Sequence, residues 1–369
     1  MVTSSESRLD LWMLVSPACL VVIGVALLYS ASYPQATGTT LLTSAPVRQG
    51  AYALLGFALL FLVARLDYRL LANVAFPLYG MMLLLLVFVV LVGEPGGGVR
   101  RWIDLKFFLL QPSEFAKPLV AIALAKFFSQ FKEEIRGLRT VAGSLAIVVV
   151  PMVLVYLQPD LGTALVFTSI WLGMAIMGGI RPLYLGILAV LGVLAAPFGY
   201  LFLLHPYMQQ RLLLFIDPSA DPLGAGYNVL QSEISVGSGG LFGKGLLNGT
   251  QSQLHFLRVQ QTDFIFSVLG EELGFIGALL VFGLFVLLLL RGLAVASEAR
   301  DDFGRLLAAG IVMMLLTQVF FNVGVAIRLL PVTGIPLPFI SFGGSSLFTV
   351  LFSLGLLQSI HVHRKRLEW

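Results

Sequence analysis

Residues 71–92 read LANVAFPLYGMMLLLLVFVVLV, a run with no charged side chain. A helix needs about 20 mainly apolar residues, each rising 1.5 Å, to cross the hydrocarbon core of a bilayer. Residues 71–92 meet that need alone. Outward from this segment the same pattern recurs over Leu11–Tyr29, Ala51–Ala64, Glu114–Phe128, Val141–Leu157, Leu161–Ile180, Leu183–Leu204, Phe264–Leu290, Leu306–Leu330 and Ser345–Ile360. The second segment and the one at Glu114 are the weak members. The whole chain is 58% hydrophobic and 11% charged, against about 25% charged in soluble domains. The reading is an all-α polytopic membrane protein with about ten transmembrane helices.

Lys and Arg gather in alternate loops, which sets orientation. With the N-terminus inside, the inner loops hold Arg65, Arg69, Lys126, Lys132, Arg136, Arg139, Arg181, Arg291, Arg300, Arg305 and the tail Arg364-Lys365-Arg366, so both termini are expected in the cytoplasm. The first apolar run lacks a small-residue cleavage site and reads as a retained anchor. Cys19 is the only cysteine, which excludes an internal disulfide and a multi-thiolate metal site. The net charge of +4 follows from the loop bias and gives no case for nucleic acid. A single membrane domain spans residues 1–369. It carries a large external loop at 205–262, between helices seven and eight, and a re-entrant or cavity-lining loop at 331–346.

Several charges fall where a membrane protein has a reason to avoid them. Gln111-Pro112-Ser113-Glu114-Phe115-Ala116-Lys117 opens the fourth helix and places Glu114 and Lys117 on one face, three residues apart, where they can pair. An interfacial pair with a snorkelling lysine is the plain alternative. Gln158-Pro159-Asp160-Leu161-Gly162-Thr163 sets Asp160 either as a helix cap or as a site group. Gly96-Gly97-Gly98-Val99-Arg100-Arg101 joins tight turns to arginines suited to bidentate phosphate contact. With Arg48, Lys106, Lys117, Arg211 and Lys244 they describe an external basic surface at headgroup depth, fit for an anionic lipid. In Pro331–Ser346, Pro331, Pro336 and Pro338 cannot continue a helix. Broken backbone at that depth has to be buried in protein or line a cavity.

Arg101-Trp102-Ile103, Gln111–Lys117, Gln158–Thr163, Gly237–Gly245, Thr262-Asp263-Phe264-Ile265-Phe266, Glu271-Glu272-Leu273-Gly274-Phe275 and Pro331–Ser346, in that order, resemble the SEDS proteins (shape, elongation, division and sporulation), the family of RodA and FtsW. Arg328 stands where that family has a small residue. The resemblance implies a peptidoglycan glycosyltransferase of the bacterial cytoplasmic (inner) membrane. Its substrate would be lipid II, an undecaprenyl-diphosphate-linked disaccharide pentapeptide, polymerised outside the membrane. Leu66-Asp67-Tyr68-Arg69 and the short tail favour the elongation-type member over the division-type one.

The family's essential aspartate falls on Asp263, expected as general base or as a metal ligand that positions the acceptor; capping of the following helix is the plain alternative. The substrate-binding set is expected to comprise Lys117, Glu114, Arg48, Arg101, Arg211, Asp160, Lys244 and Ser341, with Glu114 orienting Lys117. Glu271 and Glu272 are expected to support the large loop. Mg²⁺ or Mn²⁺ suits the oxygen donors if a metal takes part, and no organic cofactor is implied. The implied partner is a class B penicillin-binding protein. The rival from another class is a lipid II flippase or secondary transporter. Against it, the polar motifs collect on one side and no repeat of interrupted helices is visible.

Overall fold

The computed structural model describes residues 9–32, 44–92, 94–96, 99–104, 109–221, 224–254, 256–257 and 259–364. Gly97, Gly98, Lys106, Arg258 and the tail residues Lys365 and Arg366 lie outside them. The helices are α1 (Trp12–Ser32), α2 (Ala45–Arg65), α3 (Arg69–Val92), α4 (Pro112–Gln130), α5 (Leu138–Tyr156), α6 (Leu161–Gly178), α7 (Pro182–Phe198), α8 (Pro206–Ile216), α9 (Ala225–Ser238), α10 (Thr250–Gln253), α11 (Ile265–Glu298), α12 (Asp302–Ala326) and α13 (Gly344–Val362). Among the described residues nine are long and apolar enough to cross a membrane. The tenth long helix is α4, whose apolar run is diluted by Glu114, Lys117 and Lys126.

Three features depart from the sequence reading. A small antiparallel sheet, β1 (Glu94–Gly96), β2 (Val99–Asp104) and β3 (Leu109–Leu110), fills the connection between α3 and α4. The large segment at 205–262 is not a structureless loop, since α8, α9 and α10 lie inside it; its apolar residues recur at helical spacing and bury Met208, Leu214 and Val229. The expected segment Leu306–Leu330 ends earlier, because Leu329 N–H and Leu330 N–H both donate to Gly324 C=O and close the helix. Arg328 sits in that turn at φ 55°, the left-handed region that small residues occupy at least cost. Its guanidinium reaches Glu233 at 3.3 Å.

The two ends of the bundle are tied by different polar sets. At one end Asp10 N–H donates to Gln358 Oε1 at 3.0 Å and Gln358 Nε2 donates to Asp10 C=O at 2.8 Å. There too Tyr68 OH donates to Asp301 Oδ2 at 2.8 Å. These contacts gather the chain ends with the α2–α3 and α11–α12 turns, which carry the basic residues assigned inward. At the other end Gln111 N–H donates to Ser345 Oγ at 3.0 Å.

Buried side chains run along almost all of α12, the central helix. Its close approaches use small residues, as membrane helix contacts do. A Cβ on Gly173 of α6 would meet Met313 Cγ at 2.1 Å, and one on Gly310 would meet Ala121 Cβ of α4 at 3.2 Å. By contrast α7 buries no side chain and stands at the periphery.

Helix α11 breaks at Gly274, with φ 66° and ψ −163°. A break leaves orphan backbone groups, and in a membrane each must find a partner. The glycine-rich run supplies them: Lys244 N–H donates to Glu271 C=O and Gly245 N–H to Glu272 C=O, both at 2.9 Å, while Phe275 N–H and Ile276 N–H donate to Gly240 and Leu241 carbonyls at 2.9 and 3.1 Å. A Cβ on Gly243 would lie 2.2 Å from the Glu272 carbonyl oxygen. The absence of side chains is what lets the two backbones meet.

Candidate active site

At the end of the bundle opposite the Asp10–Gln358 and Tyr68–Asp301 ties lies a cavity of about 230 Å³. Among its lining residues are Arg101, Gln111, Glu114, Lys117, Asp160, Arg211, Asp263, Gly334, Ile335, Phe342 and Ser345. Helices α4, α6, α8 and α13, strand β2 and the turns before α11 and α13 each contribute. Of the expected site residues, Lys117, Glu114, Arg101, Arg211, Asp160 and Asp263 converge here.

The Glu114–Lys117 pair forms: Nζ lies 2.7 Å from Oε1, with side chains 5% and 1% exposed, so the pair is fully desolvated and not a snorkelling surface contact. Its place in the first turns of α4 follows from Pro112 at the helix start, where a missing N–H costs nothing. Asp160 does cap α6, accepting from Thr163 N–H at 3.1 Å and Thr163 Oγ1 at 2.9 Å. It also accepts from Ser113 Oγ at 3.2 Å, joining α4 to α6. Capping and lining the cavity are compatible because the carboxylate has about four lone-pair sites. Arg101 donates to the carbonyls of Gln158, at 2.6 Å, and Pro159. That pins it beside Asp160.

Asp263 does not cap α11. The helix begins at Ile265 with Phe264 at the cap position and no side-chain capping bond, so the half-buried carboxylate is left to the cavity. Burial raises its pKa above the ordinary carboxylate range, opposed in decreasing order by Arg211, the Thr262 hydrogen bond and Arg101, while Asp160 adds to the rise. Arg211 stacks over Tyr207 at 4.5 Å and donates to Val332 C=O at 3.2 Å. Gly334, at φ 74°, lies between them: a Cβ there would sit 3.7 Å from the Arg211 guanidinium and 3.8 Å from Asp263 Oδ2.

The remaining expected residues sit elsewhere. Arg48 on α2 packs its guanidinium 6.0 Å from the Phe342 ring, behind the wall. Lys244 pairs with the fully buried Glu271 at 2.9 Å, and Glu271 also accepts from Gln251 N–H at 2.9 Å and Ser252 N–H at 3.2 Å. Both therefore belong to the loop anchor, together with Glu272, which accepts from Ser30 Oγ of α1 at 2.5 Å. Ser341 is a fastener: its hydroxyl donates to Thr262 C=O at 2.7 Å and accepts from Leu337 N–H at 2.8 Å.

The segment 331–346 does line the cavity, through Gly334, Ile335, Pro336, Phe342 and Gly343. Two further amides support it, of which sequence reasoning overlooked Gln49. Gln49 donates to Ser341 C=O at 3.1 Å and accepts from Gly343 N–H at 3.2 Å. Asn322 donates to the carbonyls of Asp263, at 3.1 Å, and Ile335, at 2.9 Å. Asn322 stands out as a lone amide inside an apolar run, whereas Gln49, between Arg48 and Gly50, carries no such signal.

Among the described residues no three His, Cys, Asp or Glu side chains cluster as a metal cage. Glu114 gives Oε1 to Lys117, and Asp160 accepts at both oxygens from Thr163 and Ser113. A divalent ion would therefore find Asp263 as its protein ligand and take its other oxygens from a bound diphosphate.

The family profile described as "Cell cycle protein", covering FtsW, RodA and SpoVE, matches residues 11–366. The peptidoglycan glycosyltransferase MrdB of Escherichia coli K12 is 41% identical over 314 residues, 85% of each chain. A probable peptidoglycan glycosyltransferase FtsW of Geobacter metallireducens is 40% identical over 369 residues, covering 97% of this chain and 96% of the other. A solved chain from a study of polymerization and crosslinking by a peptidoglycan synthase complex aligns over 96% of this chain and 98% of its own, with TM-score 0.80 and 33% identity. The rod shape determining protein RodA of Thermus thermophilus aligns over 97% and 98%, with TM-score 0.69 and 31% identity. The chain belongs to the SEDS family, that of FtsW, RodA and SpoVE.

Proposed function

We propose that this protein is a peptidoglycan glycosyltransferase that polymerises lipid II into glycan strands at the outer face of the bacterial cytoplasmic membrane. The observation that carries this reading is an uncapped, half-buried Asp263 carboxylate in one cavity with the cations Arg211, Arg101 and Lys117. A sugar hydroxyl oxygen attacks the anomeric carbon of the α-linked diphosphate donor, and Asp263 takes the hydroxyl proton. The bond from that carbon to the diphosphate oxygen breaks, and its electron pair leaves with the lipid diphosphate, inverting the centre.

No protein acid is required, since neutralised diphosphate is a good leaving group. A positioned base contributes about 10²–10⁴ in rate, and stabilising the departing charge often more. Glu114 holds Lys117 in place, and Asp160 holds the start of α6 where Arg101 can reach it. Mg²⁺ or Mn²⁺, if bound, adds charge neutralisation at the diphosphate.

The two matches at 41% and 40% identity balance elongation against division. The elongation role rests on Leu66-Asp67-Tyr68-Arg69 and the short tail, with a class B penicillin-binding protein as crosslinking partner. Rescue of shape, but not of septation, in cells depleted of their own members is the expected result. The reaction itself is tested with purified protein and labelled lipid II in liposomes. Long glycan strands are expected, and movement of lipid II across the bilayer without lengthening would make the flippase reading the correct one.

A further inference from the structure

Beneath the cavity three helices each present a buried polar group with no partner among the described residues: Glu114 Oε2 on α4, both amide atoms of Gln318 on α12, and Thr349 Oγ1 on α13. Gln318 and Thr349 are 0% exposed and Glu114 4%. Buried polar atoms almost always have a partner, protein or water, and an unmatched one in the membrane interior is costly.

Helix arithmetic brings the three together. Helices α4 and α12 run antiparallel, since Lys132 beyond the end of α4 pairs with Asp302 at the start of α12 at 2.6 Å. A Cβ on Gly310 would sit 3.2 Å from Ala121 Cβ. From that contact Glu114 is seven residues up α4 and Gln318 eight residues up α12, so both lie about 10–12 Å nearer the cavity. Gln318 points about 80° around α12 from Gly310, on the side away from Met313 and its partner Gly173 of α6. Val312, on a third side, meets Gly292 of α11, which leaves the Gln318 side to α13, the helix packed on both α4 and α12. On α13 itself Thr349 is one turn below Ser345, whose hydroxyl receives Gln111 N–H at the head of α4.

We propose that an ordered water bridges Glu114 Oε2, the Gln318 amide and the Thr349 hydroxyl, making Gln318 a positioning residue for the Glu114–Lys117 pair. A water fits the donor set. It donates to Glu114 Oε2 and Gln318 Oε1 and accepts from Gln318 Nε2 and the Thr349 hydroxyl, within the two to four bonds buried waters make. The Glu114–Lys117 pair is already neutral, which disfavours a cation as occupant. One turn above Gln318, Asn322 holds the Asp263 and Ile335 carbonyls, so a single face of α12 supports both halves of the cavity. The effect on turnover rests on the reading of Lys117 as a diphosphate-holding group; the water itself does not.

The test pairs a high-resolution structure in lipid with kinetics. Solvent density within hydrogen-bond distance of Glu114 Oε2 and the Gln318 amide is expected in the wild type and is lost in Gln318→Leu. In that variant kcat/KM for lipid II falls on the order of 10–100-fold, the range for groups that orient a ligand-holding residue, while the pH midpoint of kcat/KM, set by Asp263, is unmoved. Thr349→Val gives the same pattern, with a smaller loss, should Gln318→Leu not fold. Wild-type density showing direct side-chain contact and no solvent would overturn the proposal. So would a Gln318→Leu variant that loses the solvent and keeps the wild-type kcat/KM. If the wild type makes no glycan the functional reading fails, while the solvent density still decides the water site.

Discussion

Each residue of the cavity does a separable job, and Asp263 is the one whose protonation gates the reaction. A base must be unprotonated to accept a proton, and burial raises this carboxyl while Arg211 opposes the rise. Activity should therefore fall as pH drops through a midpoint above the ordinary carboxylate range. Arg211→Met removes an opposing cation and should move that acid limb of kcat/KM to higher pH; a limb that stays put or moves down would contradict the assignment.

Lys117 and Glu114 act as a unit. Lys117→Met leaves a carboxylate buried without its partner, a loss of about 3–5 kcal/mol. Glu114→Gln with Lys117→Met should recover most of that stability in thermal melts and none of the turnover. At Gly334 a left-handed backbone and the gap between Arg211 and Asp263 coincide. Gly334→Ala should cost on the order of 1 kcal/mol from the backbone alone and at least tenfold in kcat/KM for lipid II.

At the scale of elements, the broken helix α11 is the part whose stability depends on a distant loop. Glu271 takes Lys244, Thr250 and two backbone N–H groups from the 244–252 stretch, and the break at Gly274 is closed by the glycine run before it. Glu271→Ala should lower the thermal midpoint, because the buried Ser252 N–H loses its acceptor at about 1–3 kcal/mol and three part-buried donors lose theirs. Protease cutting should then begin within 237–254.

The sequence told of the helices through unbroken apolar runs, and of the Glu114–Lys117 pair through spacing on one turn. It did not tell that 205–262 folds as helices, since α8 and α9 are short and interrupted by Pro218, Gly224 and Gly226. Nor could it tell Lys244 from Lys117. Both are lysines in family motifs, and only the fold shows Lys244 held by Glu271 away from the cavity and Lys117 lining it. Ser341 and Gln49 were illegible as supports for the same reason, because their partners are backbone carbonyls and N–H groups far along the chain.

For the whole molecule, the basic turns and the tied chain ends occupy one end of the bundle and the cavity the other. Positive charge bias assigns the first end to the cytoplasm. In a Cys19→Ser background, Ser219→Cys should react with an impermeant thiol reagent on intact spheroplasts, and Arg300→Cys only after lysis. The reverse pattern would place the cavity on the wrong side for extracytoplasmic polymerisation. The family, the membrane helices and six of the cavity-lining residues were readable along the chain, whereas Arg48, Lys244 and Ser341 were expected there and lie elsewhere. What folding added is convergence: residues 101, 117, 160, 211 and 263 line one cavity only because α4, α6, α8 and the turns before α11 and α13 meet.

The most direct test of the account compares lipid II polymerisation by purified wild type and Asp263→Asn, with and without chelator. The amide keeps the shape of the side chain but cannot take a proton. The account predicts a folded variant that makes no glycan, with a loss of at least about 10² in rate, whether or not chelator is present. Full-length strands from Asp263→Asn at the wild-type rate would contradict it.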